Sequence, residues 1–209
     1  MHFHRRLALA AAILAFAVIS LGAFVRLSDA GLGCPDWPGC YGHWLGVPEE
    51  SHEQLAANQV FPERPVNTGK AWKEMIHRYF AGTLGLLILA IFLYAWRKEM
   101  RHRQSPILPT VLLATVGLQA ALGMWTVTLL LKPVIVTLHL LGGMTTLALL
   151  LTLLLRDAGT APASNLPLWL RPLAAMMLLL IIAQIALGGW VSSNYAALAC
   201  PDFPLCQGQ

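Results

Sequence analysis

The stretch VIVTLHLLGGMTTLALLLTLLL, from Val134 to Leu155, holds one histidine and no Asp, Glu, Lys or Arg. About 20 apolar residues in a helix cross the roughly 30 Å of hydrocarbon in a bilayer. Lipid offers no hydrogen bonds to the backbone, so a span must form its own by being helical. The stretch therefore predicts a transmembrane helix, with the histidine inside the membrane.

Four further apolar runs of similar length occur in the chain, which is 57% hydrophobic and only 11% charged. Together they predict an all-α transmembrane helical bundle with five spans. The first run follows Arg5 and Arg6, and it is longer than the roughly 7–15 apolar residues of a signal peptide, so we favour a retained anchor over a cleaved signal. The spans are predicted at about 7–25, 75–96, 108–131, 134–155 and 172–191.

The distribution of Lys and Arg predicts the orientation, because positively charged short loops stay in the cytoplasm. Basic residues precede the first span, follow the second at 97–103, and flank the loop between the fourth and fifth at Arg156 and Arg171. The segment 28–69 is mainly acidic. We expect a cytoplasmic N-terminus, periplasmic cysteine loops and a bacterial inner (plasma) membrane, since no long transit peptide precedes the first span. Membrane lipid is the expected surrounding, and no basic patch suggests nucleic acid.

All four cysteines lie in the two predicted outer segments, Cys34 with Cys40 in the first, and Cys200 with Cys206 in the second. An oxidising compartment favours disulfides in such positions, so we predict one disulfide in each segment. Zinc is the alternative, but structural zinc pairs are usually two to four residues apart and need further ligands. A redox-active pair is a third interpretation that the sequence leaves open.

The chain contains an internal repeat. Residues 22–42 align without gaps on 188–208, and residues 119–125 resemble 184–190. Repeats of this kind commonly mark two pseudo-symmetric bundles. We predict a first four-helix repeat at 1–171, with its outer cysteine loop at 28–69, and at 172–209 the first helix and cysteine loop of a second. The expectation is that the chain is the front part of a protein of about eight spans.

Two histidines fall within the outer third of the predicted spans, His77 in the second and His139 in the fourth. Ionisable residues in a membrane are candidates for function. Small residues follow both histidines at helical spacing and would clear space for a flat macrocycle, with the imidazoles as axial ligands of haem iron. Close helix packing with hydrogen-bonded histidines is the alternative. The small residues are Ala81 and Gly85 after His77, and Gly142, Gly143 and Thr146 after His139.

Three charged residues lie at the same outer boundary. Glu74 precedes His77 by one turn and could move a proton there, or it could be an interfacial charge at a helix N-terminus, paired with Lys73 or Arg78. Arg26 and Arg78 are candidates to bind haem propionates. Both arginines could equally be snorkelling anchors without a ligand.

The combination of these motifs resembles the haem A synthases of the COX15/CtaA type over essentially the whole chain. The resemblance is carried by residues 22–27 leading into 31–40, by Trp72 to Arg78, and by Thr137 to Leu140. That family is similar in having eight spans in two four-helix halves. The resemblance implies oxidation of the C8 methyl of haem O to the formyl group of haem A, for use by terminal oxidases.

The resemblance also implies roles for individual residues. His77 and His139 match the histidine pair that holds haem O, Glu74 matches a carboxylate implicated in the chemistry, and Cys34 with Cys40 match an outer disulfide. A second histidine pair, beyond the part of the family that this chain matches, is expected to bind haem b. The partners implied are haem O, haem O synthase and terminal oxidase assembly proteins, and a homo-oligomer is left open.

Three functions are therefore compared. The first is a haem A synthase-type oxidoreductase, complete or lacking a half. The second is a non-catalytic haem-binding membrane protein or oxidase assembly factor. Recovery of haem A as a product would exclude this second function. The third is a membrane thiol oxidoreductase in which Cys34 and Cys40 cycle between dithiol and disulfide.

Overall fold

The chain is all-α. A computed structural model describes residues 2–101, 105–157 and 167–196, and within those ranges the regular structure is helical. The prediction of an all-α transmembrane bundle is confirmed. The helices are α1 (His2–Leu27), α2 (Ser51–Val60), α3 (Thr68–Ala95), α4 (Lys98–Arg101), α5 (Ile107–Thr128), α6 (Pro133–Asp157) and α7 (Leu170–Ser193).

Five of these helices are long and apolar enough to cross a membrane: α1, α3, α5, α6 and α7. Each has 22 residues or more, whereas a crossing needs about 20. Within the described ranges, this agrees with the five spans expected from the sequence. Consecutive spans run in alternating directions, so α1, α5 and α7 end on the side where α3 and α6 begin.

The first four spans close into a ring. The helix α1 packs against α3 and α6, and α5 packs against the same two helices. No Cα atoms of the described parts of α3 and α6 lie within 8 Å of each other, so these two helices face each other diagonally across the bundle. The helix α7 lies outside the ring, against α6.

The apolar core fills one half of the bundle. Four alanines of α1 lie on one face and let the neighbouring helices approach closely, as small residues do in membrane bundles. Leu112 of α5 and Leu150 of α6 are fully buried against them, together with leucine and isoleucine side chains near the end of α3. This core lies in the half remote from the cysteine loop. The two predicted histidines lie in the other half.

The segment 28–67 folds over one end of the bundle, which we call the loop end. Its buried residues Cys34, Cys40, Tyr41 and Val47 pack on the first turns of α3. The approach is close, because a Cβ added to Gly33 would lie 2.6 Å from the backbone carbonyl group of Lys70. Only glycine permits this contact, so the loop rests directly on the α3 backbone.

The structure adds helical residues outside the predicted spans. The helix α3 begins at Thr68, seven residues before the apolar run that marks the second span, and Asn67 caps it by accepting a hydrogen bond from the Lys70 N–H at 3.0 Å. Glu74 therefore lies within a helix rather than in front of one. The predicted outer loop also contains a helix of its own, α2, which starts with a capping box formed by Glu50 and Glu53.

Candidate functional site

His77 and His139 are brought to the same region of the bundle. His77 lies nine residues into α3 and His139 six residues into α6, both counted from the loop end. Because these helices are diagonal to each other, the two residues approach the interior from opposite sides. The structure thus places the predicted histidine pair together.

Each imidazole lies against a glycine of the adjacent helix. A Cβ on Gly22 of α1 would be 3.1 Å from His77 Cε1, and a Cβ on Gly123 of α5 would be 3.4 Å from His139 Cε1. The ring positions therefore depend on glycine, more strictly at Gly22 than at Gly123. Neither glycine is predicted from the sequence, where only small residues on the histidines' own helices stand out.

The small residues singled out from the sequence serve other contacts. Gly85 faces Val116 of α5, and Gly143 faces Ile19 of α1. Gly142 lies under the side-chain amide of Gln119. These small residues help the helices to pack. The space around the two imidazole rings comes mainly from Gly22 and Gly123 on the adjacent helices.

Both histidines carry a buried polar atom without a partner. The Nδ1 atoms of His77 and His139 are inaccessible to solvent and lack a hydrogen bond, while the Val18 backbone of α1 contacts the His77 ring. Buried polar groups are nearly always paired in native proteins. Two unpaired imidazole nitrogens in one interior therefore fit a ligand better than a packing role. The donor set, two neutral imidazoles, is a common axial pair of haem iron.

Glu74 lies one turn from His77 towards the loop end and is buried, with 5% of its surface exposed. Its Oε2 accepts a hydrogen bond from the Cys34 backbone N–H at 2.9 Å, and its Oε1 pairs with Arg78 Nη2 at 2.5 Å. The interfacial alternative raised from the sequence included this pairing with Arg78. The structure adds that the carboxylate also holds the cysteine loop.

Arg78 connects α3 to the same loop. Its Nη1 donates to the backbone carbonyl of Asp36 at 3.0 Å and also to those of Pro38 and Gly39. The guanidinium group therefore binds the disulfide loop through Nη1 and pairs with Glu74 through Nη2. These contacts lie at the loop end, where the sequence predicts a propionate partner, and they occupy donors on both terminal nitrogens.

Arg26 connects α1 to α7. Its Nη1 donates to the Tyr195 hydroxyl at 2.8 Å, and its Nη2 donates to the Ser192 carbonyl at 2.5 Å. The guanidinium carbon also lies 4.1 Å from the centre of the Tyr195 ring. Its Nε is buried without a hydrogen-bond partner. Like Arg78, this residue is at the loop end.

Cys34 and Cys40 form a disulfide, as predicted, and both residues are fully buried. Zinc is excluded for this pair because its sulfurs are joined, and the described residues contain no group of three or more potential metal ligands. Asp36 shapes the same loop by accepting the backbone N–H groups of Tyr41 and Gly42 at 2.6 and 2.8 Å.

The second predicted disulfide, between Cys200 and Cys206, lies outside the described residues, which end at Tyr195 and Ala196. The structure therefore describes one of the two predicted disulfides. The pairing of Cys200 with Cys206 stays a prediction, based on the repeat that aligns Cys200 with Cys34 and Cys206 with Cys40.

The described residues thus form a closed four-helix bundle with two histidines in its interior and a disulfide loop over one end, which is the architecture of a multi-pass membrane protein. Comparison with known proteins identifies the family. The chain belongs to the COX15-CtaA family, described as cytochrome oxidase assembly protein, whose model matches residues 5–209.

Several similar proteins carry the name Heme A synthase. The one from Shewanella oneidensis is 49% identical over 197 residues, covering 91% of this chain and 57% of that protein. The one from Halalkalibacterium halodurans is 28% identical, covering 92% and 60%. The one from Chelativorans sp. is 31% identical over 211 residues, covering 92% and 58%.

The chain thus spans somewhat under two thirds of the length of these relatives. No solved structure matches it.

Proposed function

We propose that the chain binds haem O between His77 and His139 and takes part in haem A biosynthesis, in which the C8 methyl of haem O is oxidised to a formyl group. The observation that carries the proposal is the pair of imidazoles on diagonal helices, each with an unpaired buried nitrogen. The name Heme A synthase, which the similar proteins carry, supports a part in haem A biosynthesis.

The residues around the pair suggest how the chain would serve the reaction. His77 and His139 would ligate the iron and fix the macrocycle, while Gly22 and Gly123 keep the rings in place. When bound, the haem supplies both the iron centre and the methyl group to be oxidised. Glu74, held one turn away towards the loop end, is the proposed proton carrier.

Arg26 and Arg78 are proposed to face the haem propionates. Both stand at the loop end, and the unpaired Nε of Arg26 leaves one donor for an anion. The existing contacts of both residues would then be shared between protein and ligand, since a guanidinium group has five N–H donors.

We also propose that the loop end faces the periplasm of a bacterial inner membrane and the N-terminus the cytoplasm. The support is the distribution of basic residues, which are concentrated at the opposite end. A second haem, haem b, is proposed to be bound by the portion of the family that this chain does not span, and to carry electrons. Haem O synthase and terminal oxidase assembly proteins are proposed partners.

The thiol oxidoreductase function is not proposed. Both sulfurs of the Cys34–Cys40 disulfide are buried beneath the loop, so a substrate thiol has no path to attack them in this conformation. The non-catalytic haem carrier differs from the proposed enzyme only in its product, so recovery of haem A distinguishes the two.

The test is to purify the chain in detergent from cells that make haem O and to identify its extracted pigment by chromatography. We expect haem O or haem A in the unaltered chain and its loss in His77→Ala and in His139→Ala. His52→Ala is the matched control, because the His52 side chain is 77% exposed on the loop. A folded but colourless chain, or pigment retained in both variants, would contradict the proposal.

A further inference from the structure

Gln119 has a position next to the histidine pair that the proposed function does not use. It lies on α5 one turn before Gly123, so it shares the helix face that meets His139. Its side-chain amide rests on Gly142 of α6, where any Cβ would collide with the amide nitrogen. The chain therefore makes room for this amide with a glycine.

The amide nitrogen of Gln119 is buried and has no hydrogen-bond partner. The nearby Gly142 carbonyl instead accepts the hydroxyl of Thr146, at 2.9 Å. An unpaired buried donor is destabilising unless something outside the protein satisfies it. In the immediate surroundings of a ligand site, the ligand is the natural partner.

The depth of Gln119 limits which part of a ligand it can meet. Gln119 is nine residues from the loop end of α5, and Gly142 is nine residues from that of α6, whereas His139 is six. Three helical residues correspond to about 4.5 Å along the axis. The amide thus lies deeper than the His139 imidazole, on the side away from Arg26 and Arg78.

The polar group is present on one side of the site only. On α1 the residue one turn before Gly22 is Val18. Its position relative to Gly22 and His77 corresponds to that of Gln119 relative to Gly123 and His139. The site therefore offers an amide on the α5–α6 side and an aliphatic side chain on the α1–α3 side. A lining of this kind distinguishes the two sides of an asymmetric ligand.

We propose that Gln119 is a specificity-determining residue whose amide binds the hydroxyl group on the long alkyl substituent of haem O. Haem b has a vinyl group at that ring position and offers no hydroxyl. The inference rests on the proposed function. A site that hydrogen-bonds a ligand hydroxyl discriminates against an analogue without one, because the protein group is then left unpaired.

The experiment compares the full chain with Gln119→Met, which removes the amide at similar volume, and with Gln119→Leu, which removes it with a different shape. Each purified protein is titrated in detergent with haem O and with haem b, and affinity is followed by the absorption of the ligated haem. The matched control is Gln184→Met, which alters the repeat counterpart of Gln119 at an exposed position on α7.

We expect both Gln119 variants to bind haem O about three- to tenfold more weakly, the range for one neutral hydrogen bond, and haem b with unchanged affinity. The control should match the unaltered chain. Equal losses for the two haems, or no loss for haem O, would overturn the inference.

Stability of the ligand-free chain separates this role from a structural one. If Gln119 held the helices together, its loss would lower the unfolding temperature without haem. The inference expects Gln119→Met to be at least as stable as the unaltered chain without haem, because an unpaired amide has been removed. Failure of the unaltered chain to bind haem O would overturn the proposed function. Histidine-dependent binding with no change of preference in the variants would overturn this inference alone.

Discussion

The Tyr195 hydroxyl donates a hydrogen bond to Asp29 Oδ1 at 3.0 Å, although the two residues are 166 positions apart. They occupy the same position in the two copies of the repeat. Arg26 and Ser192 have the same separation and are also joined, by the bond from the guanidinium group to the Ser192 carbonyl. The two copies of the repeat therefore meet at equivalent positions at the loop end, at a junction between the end of α1 and the end of α7.

The first prediction tests this junction with Tyr195→Phe. The substitution removes the hydroxyl, which accepts from Arg26 and donates to Asp29, but it keeps the ring that lies against the guanidinium group. We expect the free energy of unfolding to fall by about 1 kcal/mol, since the contacts are exposed and water replaces them in part. Thermal unfolding in detergent measures this. The free energy of unfolding should fall further in Tyr195→Leu, which also removes the aromatic ring. A Tyr195→Phe variant as stable as the unaltered chain would contradict the prediction.

The second prediction concerns the pH dependence of the same junction. The hydrogen bond from the Lys70 ammonium group, at 2.7 Å, lowers the pKa of Asp29 below its ordinary value of 3.8, and the Tyr195 hydroxyl and the Arg26 charge lower it further. A depressed carboxyl pKa stabilises the fold above the unfolded-state value and loses that contribution as the pH falls through the folded-state value. Stability should therefore decline below about pH 4.

Asp29→Asn should remove this part of the decline. The effect is at most about 1 kcal/mol, because the Asp29 side chain is 65% exposed and that of Lys70 is 38% exposed. Glu53, whose pKa is also lowered by the backbone N–H groups of Glu49 and Glu50, contributes equally to both proteins. The difference between the two unfolding curves over roughly pH 3–7 isolates Asp29, and parallel curves would count against the assignment.

The spans, the histidine pair and the Cys34–Cys40 disulfide could be predicted from the sequence because each follows from local composition or from residue type. The start of α3 could not be predicted, because residues 68–74 include two lysines and a glutamate, and a hydropathy pattern does not detect a helix outside the membrane. The contacts of Gly22 and Gly123 were also missed, because they depend on which helices are adjacent in the ring. A signal did exist: Gly22, Gly123 and Gly188 align in the three related segments.

The third prediction uses those aligned glycines. Gly22→Ala places a methyl group 3.1 Å from His77 Cε1, whereas Gly188→Ala meets nothing within 4 Å. Overpacking of this kind costs roughly 1–3 kcal/mol, which we expect to appear as an approximately tenfold loss of haem affinity through displacement of the His77 ring. Gly123→Ala should have a smaller effect, because its contact would be 3.4 Å.

Haem titration of the three alanine variants makes the comparison, with Gly188→Ala as the matched control. All three should remain folded, since alanine favours a helix over glycine by about 1 kcal/mol. Equal affinities in Gly22→Ala and Gly188→Ala would show that the close contact does not position His77.

The fourth prediction concerns the disulfide. Cys34→Ser opens a loop closed over a separation of six residues, and a cross-link of this length contributes about 2 kcal/mol by restricting the unfolded chain. We expect a lower unfolding temperature in the variant, and a similar drop for the unaltered chain under reducing conditions. Histidine-dependent haem binding should survive, because the disulfide acts on the loop. Loss of haem from a folded Cys34→Ser variant would instead tie the cysteines to the site itself.

The fifth prediction separates the two roles of Glu74. As a structural residue it accepts the Cys34 N–H and pairs with Arg78, and both members of the pair are mostly buried, with 6% and 13% of their side chains exposed. Glu74→Leu leaves a buried guanidinium group without its carboxylate and a loop N–H without an acceptor, which costs about 3–5 kcal/mol. Glu74→Gln keeps an oxygen acceptor and should cost less. Both values are measurable by thermal unfolding.

Haem retention and turnover then distinguish the roles. Glu74→Gln cannot carry a proton as a carboxylate does, so we expect it to retain haem O while the haem A fraction of the extracted pigment falls. In the double variant Glu74→Leu with Arg78→Met, the loss of stability should be smaller than the sum of the single losses, because the charges are removed together. If Glu74→Gln produces haem A at the level of the unaltered chain, Glu74 only anchors the disulfide loop, and the proton must travel by another group.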